Sequence, residues 1–404
     1  MTETWALATL WVGLALAAAL LSIFFRIANA LGEIMVGIAA GAVIGSAALG
    51  ADQSWIKFLS GAGALVLTFL AGAELDPVVF RANWKEAIGV GLMSFAAPFL
   101  ACTGAAYYLL HWDVQASWLA GVALSTTSVA VVYAVMLEFG LNRTDYGKTV
   151  LAACFVTDLG TVLALGLLFA PFTYKTAIFA AAVITVCLVL PRFTPRFFRR
   201  FGERPSEFET KYLLLTLFGL GALASWADSE PVLPAYVIGM VLAGTVGRDH
   251  ALIRRLRTLT LGLLTPFYFL RAGSYVALPA LLAAPVAFLI FLVTKIAAKC
   301  AGVYPVTKMY GTPNKEAMYT TLLMSTGLTF GSIAALFGLT HDIIDQGQYT
   351  LLILAVIASA VVPTVIANAF FLPHHLLPKP ESAPVAAAPE QRAPTQSSHT
   401  KTGA

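Results

Sequence analysis

The chain has 404 residues, of which 59% are hydrophobic and 11% are charged, and its mean hydropathy is +0.81. This composition excludes an ordinary soluble domain, and at about 20 residues per span the chain has room for more than ten membrane helices. The net charge of +4 is small, so the positions of the charged residues carry more information than their sum.

Long apolar runs, each broken by proline, glycine or charge, predict thirteen membrane-spanning helices. In chain order the runs cover residues 5–25, 32–49, 56–75, 87–110, 117–137, 149–170, 176–190, 212–226, 232–246, 259–276, 280–303, 317–336 and 349–371. After the last run the composition shifts to proline, alanine and polar residues, which predicts a disordered cytoplasmic tail over residues 374–404.

The basic residues give the predicted orientation. If the amino terminus is outside and the spans alternate, 20 of the 25 Lys and Arg residues face the cytoplasm and only Lys57 and Lys175 face outward. This asymmetry follows the positive-inside rule. We therefore expect a multi-pass protein of a bacterial inner membrane with its carboxyl terminus in the cytoplasm. The basic residues between Arg192 and Lys211 then form a cytoplasmic loop.

Asp158 lies in the middle of the sixth predicted span, within the apolar run TVLAACFVTDLGTVLALGLLFAP. A carboxylate in this setting loses its hydration and is too costly to keep as a bare anion. It has to bind a proton, bind a metal cation or pair with a positive side chain. A proton-coupled cation transporter requires these properties, so Asp158 is the predicted centre of the functional site.

Two predicted spans, the fifth and the twelfth, contain polar interruptions near their centres. Hydroxyl residues in such a stretch hydrogen-bond to the backbone, and the break leaves carbonyls and helix ends free to hold ions. The alternative is that these small residues only allow close helix packing. The interruptions comprise Ser125, Thr126, Thr127 and Ser128 in the fifth span and Ser325, Thr326, Gly327, Thr329 and Gly331 in the twelfth.

Other charged residues of the spans also need partners. Lys295 lies well inside its span and is predicted to be a functional or structural charge partner, whereas Lys299 is predicted to reach the interface. Arg271 either lines the outer vestibule or pairs with a lipid headgroup. Glu33 and Glu74 lie near cytoplasmic ends of spans, where each either joins an inner ion funnel or is a solvated helix-end carboxylate.

Several short segments occur together in a characteristic order: ALGEIMVGIAAGAVIG, FLAGAELDP, TTSVAVVYAVMLEFG, VTDLGT, FYFLRAG, TKIAAKCAG and STGLTFGSIAALFGL. With these segments, the chain resembles the second subfamily of monovalent cation/proton antiporters, which includes sodium/proton and potassium-efflux members. The matching segments cover nearly all of residues 5–371.

The resemblance implies an all-α, inverted-repeat antiporter fold with two crossed, unwound helices, which here are the fifth and twelfth spans. It implies a transmembrane domain over residues 1–373 that is divided into two parts. The core helices cover about 87–170 and 280–371, and the panel or dimerisation helices cover about 32–75 and 176–276, with a leading helix at 5–25. A homodimer embedded in the lipid bilayer is also implied.

The resemblance further assigns roles within the site. Asp158 matches the carboxylate that binds either the cation or a proton, Thr127 matches a hydroxyl residue of the unwound stretch, and Lys295 matches the basic residue that faces the site. Oxygen ligands suit Na⁺ or K⁺, so the hydroxyls of Thr127, Ser128 and Thr157 are candidate ligands beside Asp158. Electrogenic members carry two adjacent aspartates, and here the first is Thr157.

We therefore expect exchange of a monovalent cation, preferentially Na⁺, for a proton by alternating access, with electroneutral stoichiometry. One alternative is a K⁺/H⁺ antiporter of the potassium-efflux type, although the Gln-Asp pair and the glutamate of many such members are absent, the latter replaced by Thr329. A sodium-coupled solute symporter is a second alternative. The spans contain no HExxH or GxSxG motif, so we expect no enzyme, no cofactor and no nucleic-acid partner.

Overall fold

The structure is a computed structural model. It describes residues 2–25, 27–73, 83–169, 173–202, 206–227, 229, 232–247, 249–277, 279 and 283–377. Glu74 and residues 378–404 of the predicted tail lie outside these ranges.

The described chain is built from α-helices and contains no strand within these ranges. The helices are α1 (Thr2–Phe25), α2 (Asn29–Ile44), α3 (Ser54–Ala73), α4 (Trp84–Gly104), α5 (Val114–Ser125), α6 (Val129–Glu138), α7 (Asp145–Phe169) and α8 (Tyr174–Phe201). They continue with α9 (Phe208–Trp226), α10 (Val232–Leu242), α11 (His250–Leu259), α12 (Thr265–Ser274), α13 (Pro285–Met309), α14 (Asn314–Met324), α15 (Thr329–Thr340) and α16 (Gln346–Ile366). Wide π-helical turns extend α4 over Ala105–Leu109 and α16 over Ala367–Phe371, and another, Thr260–Leu264, joins α11 to α12.

Each of the thirteen predicted runs overlaps a helix or, in the fifth and twelfth runs, a pair of helices separated by a short break. Nine helical stretches in the described ranges are long and apolar enough to cross a membrane, and Asn29–Ile44 is a shorter apolar helix. The prediction of an all-α polytopic membrane protein is therefore confirmed. The run pattern succeeds because a span has to satisfy its own backbone, which only a helix does within a single segment.

The structure corrects one prediction about the cytoplasmic loops. The segment from Arg192 onward was predicted to be a loop, but it is helical as far as Phe201. Helix α8 includes four of its arginines. Charged residues end an apolar run, but arginine is a good helix former and its stem covers apolar surface. Three of these guanidinium groups also donate to carbonyls one turn back, Arg192 to Leu188 at 2.7 Å, Arg196 to Arg192 at 2.6 Å and Arg199 to Pro195 at 3.3 Å.

Glycines allow two helix pairs to approach closely. In the pair α2 and α12, a Cβ at Gly37 would overlap the backbone of Leu270, and one at Gly273 would overlap the backbone of Ile34. In the pair α3 and α10, Gly72 and Gly239 face one another in the same way. Without a hydrophobic driving force between helices in lipid, close backbone packing of this kind holds them together.

Helix α4 packs against α5, α7 and α13, and α16 packs against α13 and α15. Helix α4 approaches α7 closely at Gly91, where a Cβ would overlap Val156 and the carbonyl of Ala153. This packing places the middle of α7, which carries Asp158, beside the breaks in the fifth and twelfth spans. The grouping of the helices into a moving core and a panel stays a prediction.

Candidate ion-binding site

The site is built where the two broken spans cross. Helix α5 ends at Ser125 and α6 begins at Val129, while α14 ends at Met324 and α15 begins at Thr329. The breaks are hydrogen-bonded to one another: the Ser128 amide donates to the carbonyl of Thr326 at 3.0 Å, and Thr127 Oγ1 donates to the carbonyl of Met324 at 2.8 Å. The predicted crossing of two unwound helices is therefore present.

The hydroxyl side chains explain why the helices break at these positions. Ser125 Oγ donates to the carbonyl of Val122 at 2.8 Å, and Thr326 Oγ1 donates to the carbonyl of Leu323 at 2.7 Å. Such bonds satisfy carbonyls near a helix end that would otherwise lack a partner in an apolar interior. Thr126 then takes an extended conformation with ψ 154°. The polar residues therefore lower the free-energy cost of breaking the helix in the membrane interior.

Gly327 lets the two breaks meet. A Cβ at this position would overlap Lys295 Nζ and Thr126 Oγ1. The crossing is fully buried on both sides, since Thr126 and Thr326 have no exposed surface. A side chain at position 327 therefore has no empty space to occupy.

We expect Gly327→Ala to destabilise the protein by about 1–3 kcal/mol, because overpacking a closed crossing forces neighbouring atoms apart. Thermal unfolding of the purified protein measures this change. Gly219→Ala is the matched control, since a Cβ there meets no atom within 4 Å. Equal melting temperatures for the two variants would show that the crossing is looser than its contacts indicate.

Asp158 lies in α7 and is 1% exposed. Its Oδ1 is buried and accepts no hydrogen bond from any described residue. Among the ranges that the structure covers, no Lys or Arg nitrogen forms an ion pair with this carboxylate. Buried carboxylates are normally paired, so Asp158 Oδ1 departs from this pattern among the described residues.

Lys299, in its ammonium form, places a positive charge close enough to Asp158 to act on it electrostatically. It is fully buried, so the prediction that it reaches the interface is wrong. Its Nζ donates to Ser94 Oγ at 2.7 Å, to the carbonyl of Ser125 at 3.0 Å and to Thr127 Oγ1 at 3.0 Å. These three bonds use all the donors of an ammonium group and place its charge at the carboxyl-terminal end of α5, where the helix dipole favours a cation.

Lys295 is also fully buried, one turn earlier on α13. Its Nζ donates to Ser359 Oγ at 2.9 Å and lies against Gly327 of the second break. The two lysines thus fill the space beside the two breaks, one each. The role of Lys295 as charge partner of Asp158 stays a prediction, since no contact joins the two residues among the described interactions.

The predicted oxygen ligands have different hydrogen-bond partners in the fold. Thr127 lies in the crossing, within 3.3 Å of Ser94 Oγ. Ser128 Oγ accepts from the amide of Val131 at 3.4 Å, at the start of α6. Thr157 Oγ1 lies 3.1 Å from the carbonyl of Gly91 and 3.1 Å from that of Ala153, so this hydroxyl ties α7 to α4.

The remaining residues of the second break have structural partners. Ser325 Oγ donates to the carbonyl of Thr321 at 2.8 Å. Thr329 is half-buried at the start of α15, and its carbonyl accepts from Ser332 Oγ at 2.9 Å. These residues shape the break, and their role as ion-path lining stays a prediction.

The funnel candidates differ in their surroundings. Glu33 is 1% exposed and accepts a hydrogen bond from Asn29 Nδ2 at 2.6 Å, so it is not a solvated helix-end carboxylate. Arg271 is also buried, which excludes an exposed pairing with lipid headgroups. Its Nε donates to the carbonyl of Ala51 at 2.8 Å, and its Nη2 lies 3.7 Å from Asp52 Oδ1.

Sequence reasoning missed a cavity of about 410 Å³ between the ends of α4, α7, α13 and α14. Three carboxylic acids line it, Glu86, Asp145 and Glu316, and they lie at ends that the predicted orientation places in the cytoplasm. Ala153, five residues before Asp158 on α7, forms part of the same wall. A cleft lined by one sign of charge concentrates the opposite ion. The sequence signal was the acidic residue in the first turn of α4, α7 and α14.

His375 borders this cavity from the carboxyl-terminal side. His374–Leu376 form a single helical turn after the last span, and His375 Nε2 lies 2.7 Å from Glu316 Oε1. The first residues of the predicted tail therefore contact the mouth of the acidic cavity.

The comparisons with known proteins concern the family and the fold of the chain. The family model described as "Sodium/hydrogen exchanger, transmembrane" matches residues 13–372. Cation/H(+) antiporter 15 of Arabidopsis thaliana is 26% identical over 86% of this chain and 46% of its own length. Probable Na(+)/H(+) antiporter 3 of Methanocaldococcus jannaschii is 24% identical over 87% of this chain and 95% of its own length. The chain thus spans about half the length of the plant relative that it matches.

A solved structure shares the fold. The sodium proton antiporter MjNhaP1 from Methanocaldococcus jannaschii at pH 8 superposes with a TM-score of 0.67 and 18% identity, over 91% of this chain and 96% of that chain. At this identity the match concerns the fold alone, and it confirms the predicted antiporter fold. With the family model matching almost the whole described chain, the protein belongs to the sodium/hydrogen exchanger family, whose members are secondary transporters and not enzymes.

Proposed function

We propose that the protein exchanges a monovalent cation, preferentially Na⁺, for a proton by alternating access, and that Asp158 binds the two competitively. The observation that carries this proposal is the buried Asp158 Oδ1, which accepts no hydrogen bond from the described residues although it lies in the middle of an apolar span. Family membership supports the same reaction class.

The competition follows from the burial of this carboxylate. A bare anion at this depth is costly, so Asp158 is neutralised by a bound proton or by a bound metal ion. A second positive species at the same oxygens would repel the first. Binding of one species therefore releases the other, which is the defining step of an exchanger.

In this proposal Lys299 compensates the charge of Asp158 without blocking cation binding to it. Its three hydrogen bonds all go to Ser94, Ser125 and Thr127, so its ammonium compensates charge without hydrogen-bonding to Asp158. A direct ion pair would compete with the transported cation and hold the carboxylate in one state. The geometry instead leaves Oδ1 as an acceptor for Na⁺ or H⁺.

One carboxylate suggests a stoichiometry of one proton per cation. The neighbouring position that carries a second aspartate in electrogenic relatives is Thr157, and its hydroxyl is occupied between the carbonyls of Gly91 and Ala153. Exchange of one H⁺ for one Na⁺ moves no net charge, so it is electroneutral. In this proposal the protein acts as a homodimer in a bacterial inner membrane, with the amino terminus outside and the acidic cavity facing the cytoplasm.

Proteoliposomes with an internal pH-sensitive dye test the proposal. We expect addition of Na⁺ to change the internal pH, with a smaller response to K⁺, and we expect an imposed membrane potential to leave the rate unchanged. A larger response to K⁺ would assign the potassium-efflux type. Absence of a pH response to Na⁺, K⁺ and Li⁺ would refute cation/proton exchange, and potential-driven cation uptake without a pH gradient would refute the one-for-one stoichiometry.

A further inference from the structure

The first turn of α16 is hydrogen-bonded to the carboxyl-terminal end of α12. Three bonds join them: Tyr349 Oη to the Ala272 carbonyl at 2.6 Å, the Ala277 amide to Thr350 Oγ1 at 3.0 Å and Gln346 Nε2 to the Tyr275 carbonyl at 3.2 Å. The last carbonyls of a helix have no partners within it, and α16 supplies partners for two of them. We call this set of three bonds the α12–α16 clasp.

On the α12 side, the clasp is anchored to the helices predicted as the panel. Arg271 donates to the carbonyl of Ala51 in the loop between α2 and α3 at 2.8 Å. Tyr275 Oη donates to Asp52 Oδ1 at 2.9 Å. Burial raises the pKa of Asp52, but its hydrogen bonds with Lys57 and Tyr275 and the nearby positive charges outweigh this and hold it below the usual range. The end of α12 is therefore fixed to α2 and α3.

On the α16 side, the clasp is anchored to the helices that build the ion site. Ser359 of α16 accepts the hydrogen bond from Lys295 at 2.9 Å, and Asn368, just beyond α16, accepts one from Tyr319 of α14 at 3.1 Å. Val356 of α16 packs against Gly331, which follows the second break. A displacement of the crossing therefore moves α16 with it.

We propose that the α12–α16 clasp is a releasable contact between the moving and the stationary parts of the transporter, made in this conformational state and broken when Asp158 turns to the opposite side of the membrane. This inference rests on the alternating access of the proposed function. By the predicted orientation, both helix ends lie at the outer face. The clasp then closes the outer side while the acidic cavity is open at the other end, which identifies Tyr349, Thr350 and Gln346 as positioning residues.

A reversible cross-link tests the clasp. In the double variant Ala277→Cys/Thr350→Cys, the Sγ at position 350 would replace an Oγ1 that lies 3.0 Å from the Ala277 amide nitrogen. The two cysteines therefore lie at adjoining positions, and a disulfide between them would join the two helix ends. We expect oxidation by copper phenanthroline to reduce cation/proton exchange in proteoliposomes at least tenfold, and reduction by dithiothreitol to restore it. The two single-cysteine variants, treated with the same oxidant, control for reactions of the four native cysteines.

The outcomes separate this proposal from the proposed function. Undiminished exchange in the oxidised, cross-linked protein would overturn the clasp, because two helix ends locked together could not belong to parts that move apart. Exchange has to be present first in the wild-type protein, so its absence there would refute the proposed function and not the clasp.

Amide hydrogen exchange of the intact protein gives an independent test of the clasp. It applies even where the cross-link does not form. Tyr349→Phe removes one buried hydrogen bond across the clasp, and we expect exchange of residues 272–277 and 346–353 to accelerate about fivefold as the closed population falls. Tyr319→Phe is the matched control, because its bond to Asn368 lies within one part. Equal protection of these segments in both variants would contradict a releasable contact.

Discussion

Asp158→Asn is expected to abolish cation/proton exchange while the protein becomes more stable. An amide is close in shape to a carboxylate, but it neither titrates nor carries the charge that holds a cation. The buried Oδ1 of Asp158 has no hydrogen-bond partner among the described residues, so the native residue is an unfavourable group in the folded state whenever neither a proton nor a cation is bound to it. Replacing it with a neutral group removes that cost, which is the expected relation between function and stability at such a site.

Two measurements check this prediction on the same purified sample. Exchange in proteoliposomes should fall to the level of protein-free vesicles, and the melting temperature in detergent should rise. Asp342→Asn is the matched control, since Asp342 is exposed and has a positive φ of 55° that asparagine adopts readily. Cation-dependent proton flux in Asp158→Asn above the protein-free level would remove Asp158 from the centre of the site.

Lys299→Met is expected to be much more harmful than Lys295→Met, although the two lysines are both buried and lie one turn apart on the same helix. Removing the Lys299 ammonium takes a donor from Ser94, Thr127 and the Ser125 carbonyl and leaves the α5 end uncompensated. We expect a loss of about 3 kcal/mol of stability together with loss of exchange. Lys295 donates to Ser359, whose hydroxyl retains its bond to the Val356 carbonyl at 2.8 Å, so its loss should cost about 1 kcal/mol.

Each variant is the control for the other, because methionine preserves the stem and approximate volume of either lysine. Thermal unfolding ranks the two losses, and proteoliposome exchange ranks their effects on transport. If Lys295→Met proved the more damaging variant in both assays, the compensating charge would have to be assigned to Lys295, as the family resemblance implies.

The sequence was sufficient to predict the spans and the two breaks. Both signals are local: an apolar run of span length has to be helical in lipid, and consecutive hydroxyl residues with glycine offer the backbone partners outside the helix. Asp158 was identified for a related reason, since keeping a carboxylate charged inside such a run has a high free-energy cost. The carboxyl-terminal end of α8 was predicted too early. The arginines from Arg192 to Arg200 end the apolar run, but they do not end the helix.

The roles of the two lysines could not be predicted from their positions along the span. Depth within an apolar run favoured Lys295 as the charged partner and gave Lys299 a path to the interface. In the folded protein both are fully buried, since the helix breaks carry carbonyls and hydroxyls into the membrane interior at the level of Lys299. Which turn of α13 meets which break depends on the packing of α4, α5 and α13 together.

By itself, the sequence determined that this is a polytopic helical membrane protein with one carboxylate and two interrupted helices at membrane depth. These properties follow from the cost of burying backbone and charge in hydrocarbon, which each segment meets alone. The tertiary structure decided which hydrogen bonds form: those of Lys299 at the crossing, that of Thr157 between α7 and α4, and those between α16 and the end of α12. Those contacts join residues between 66 and 172 positions apart, and their register is fixed by glycine-mediated packing that no local pattern specifies.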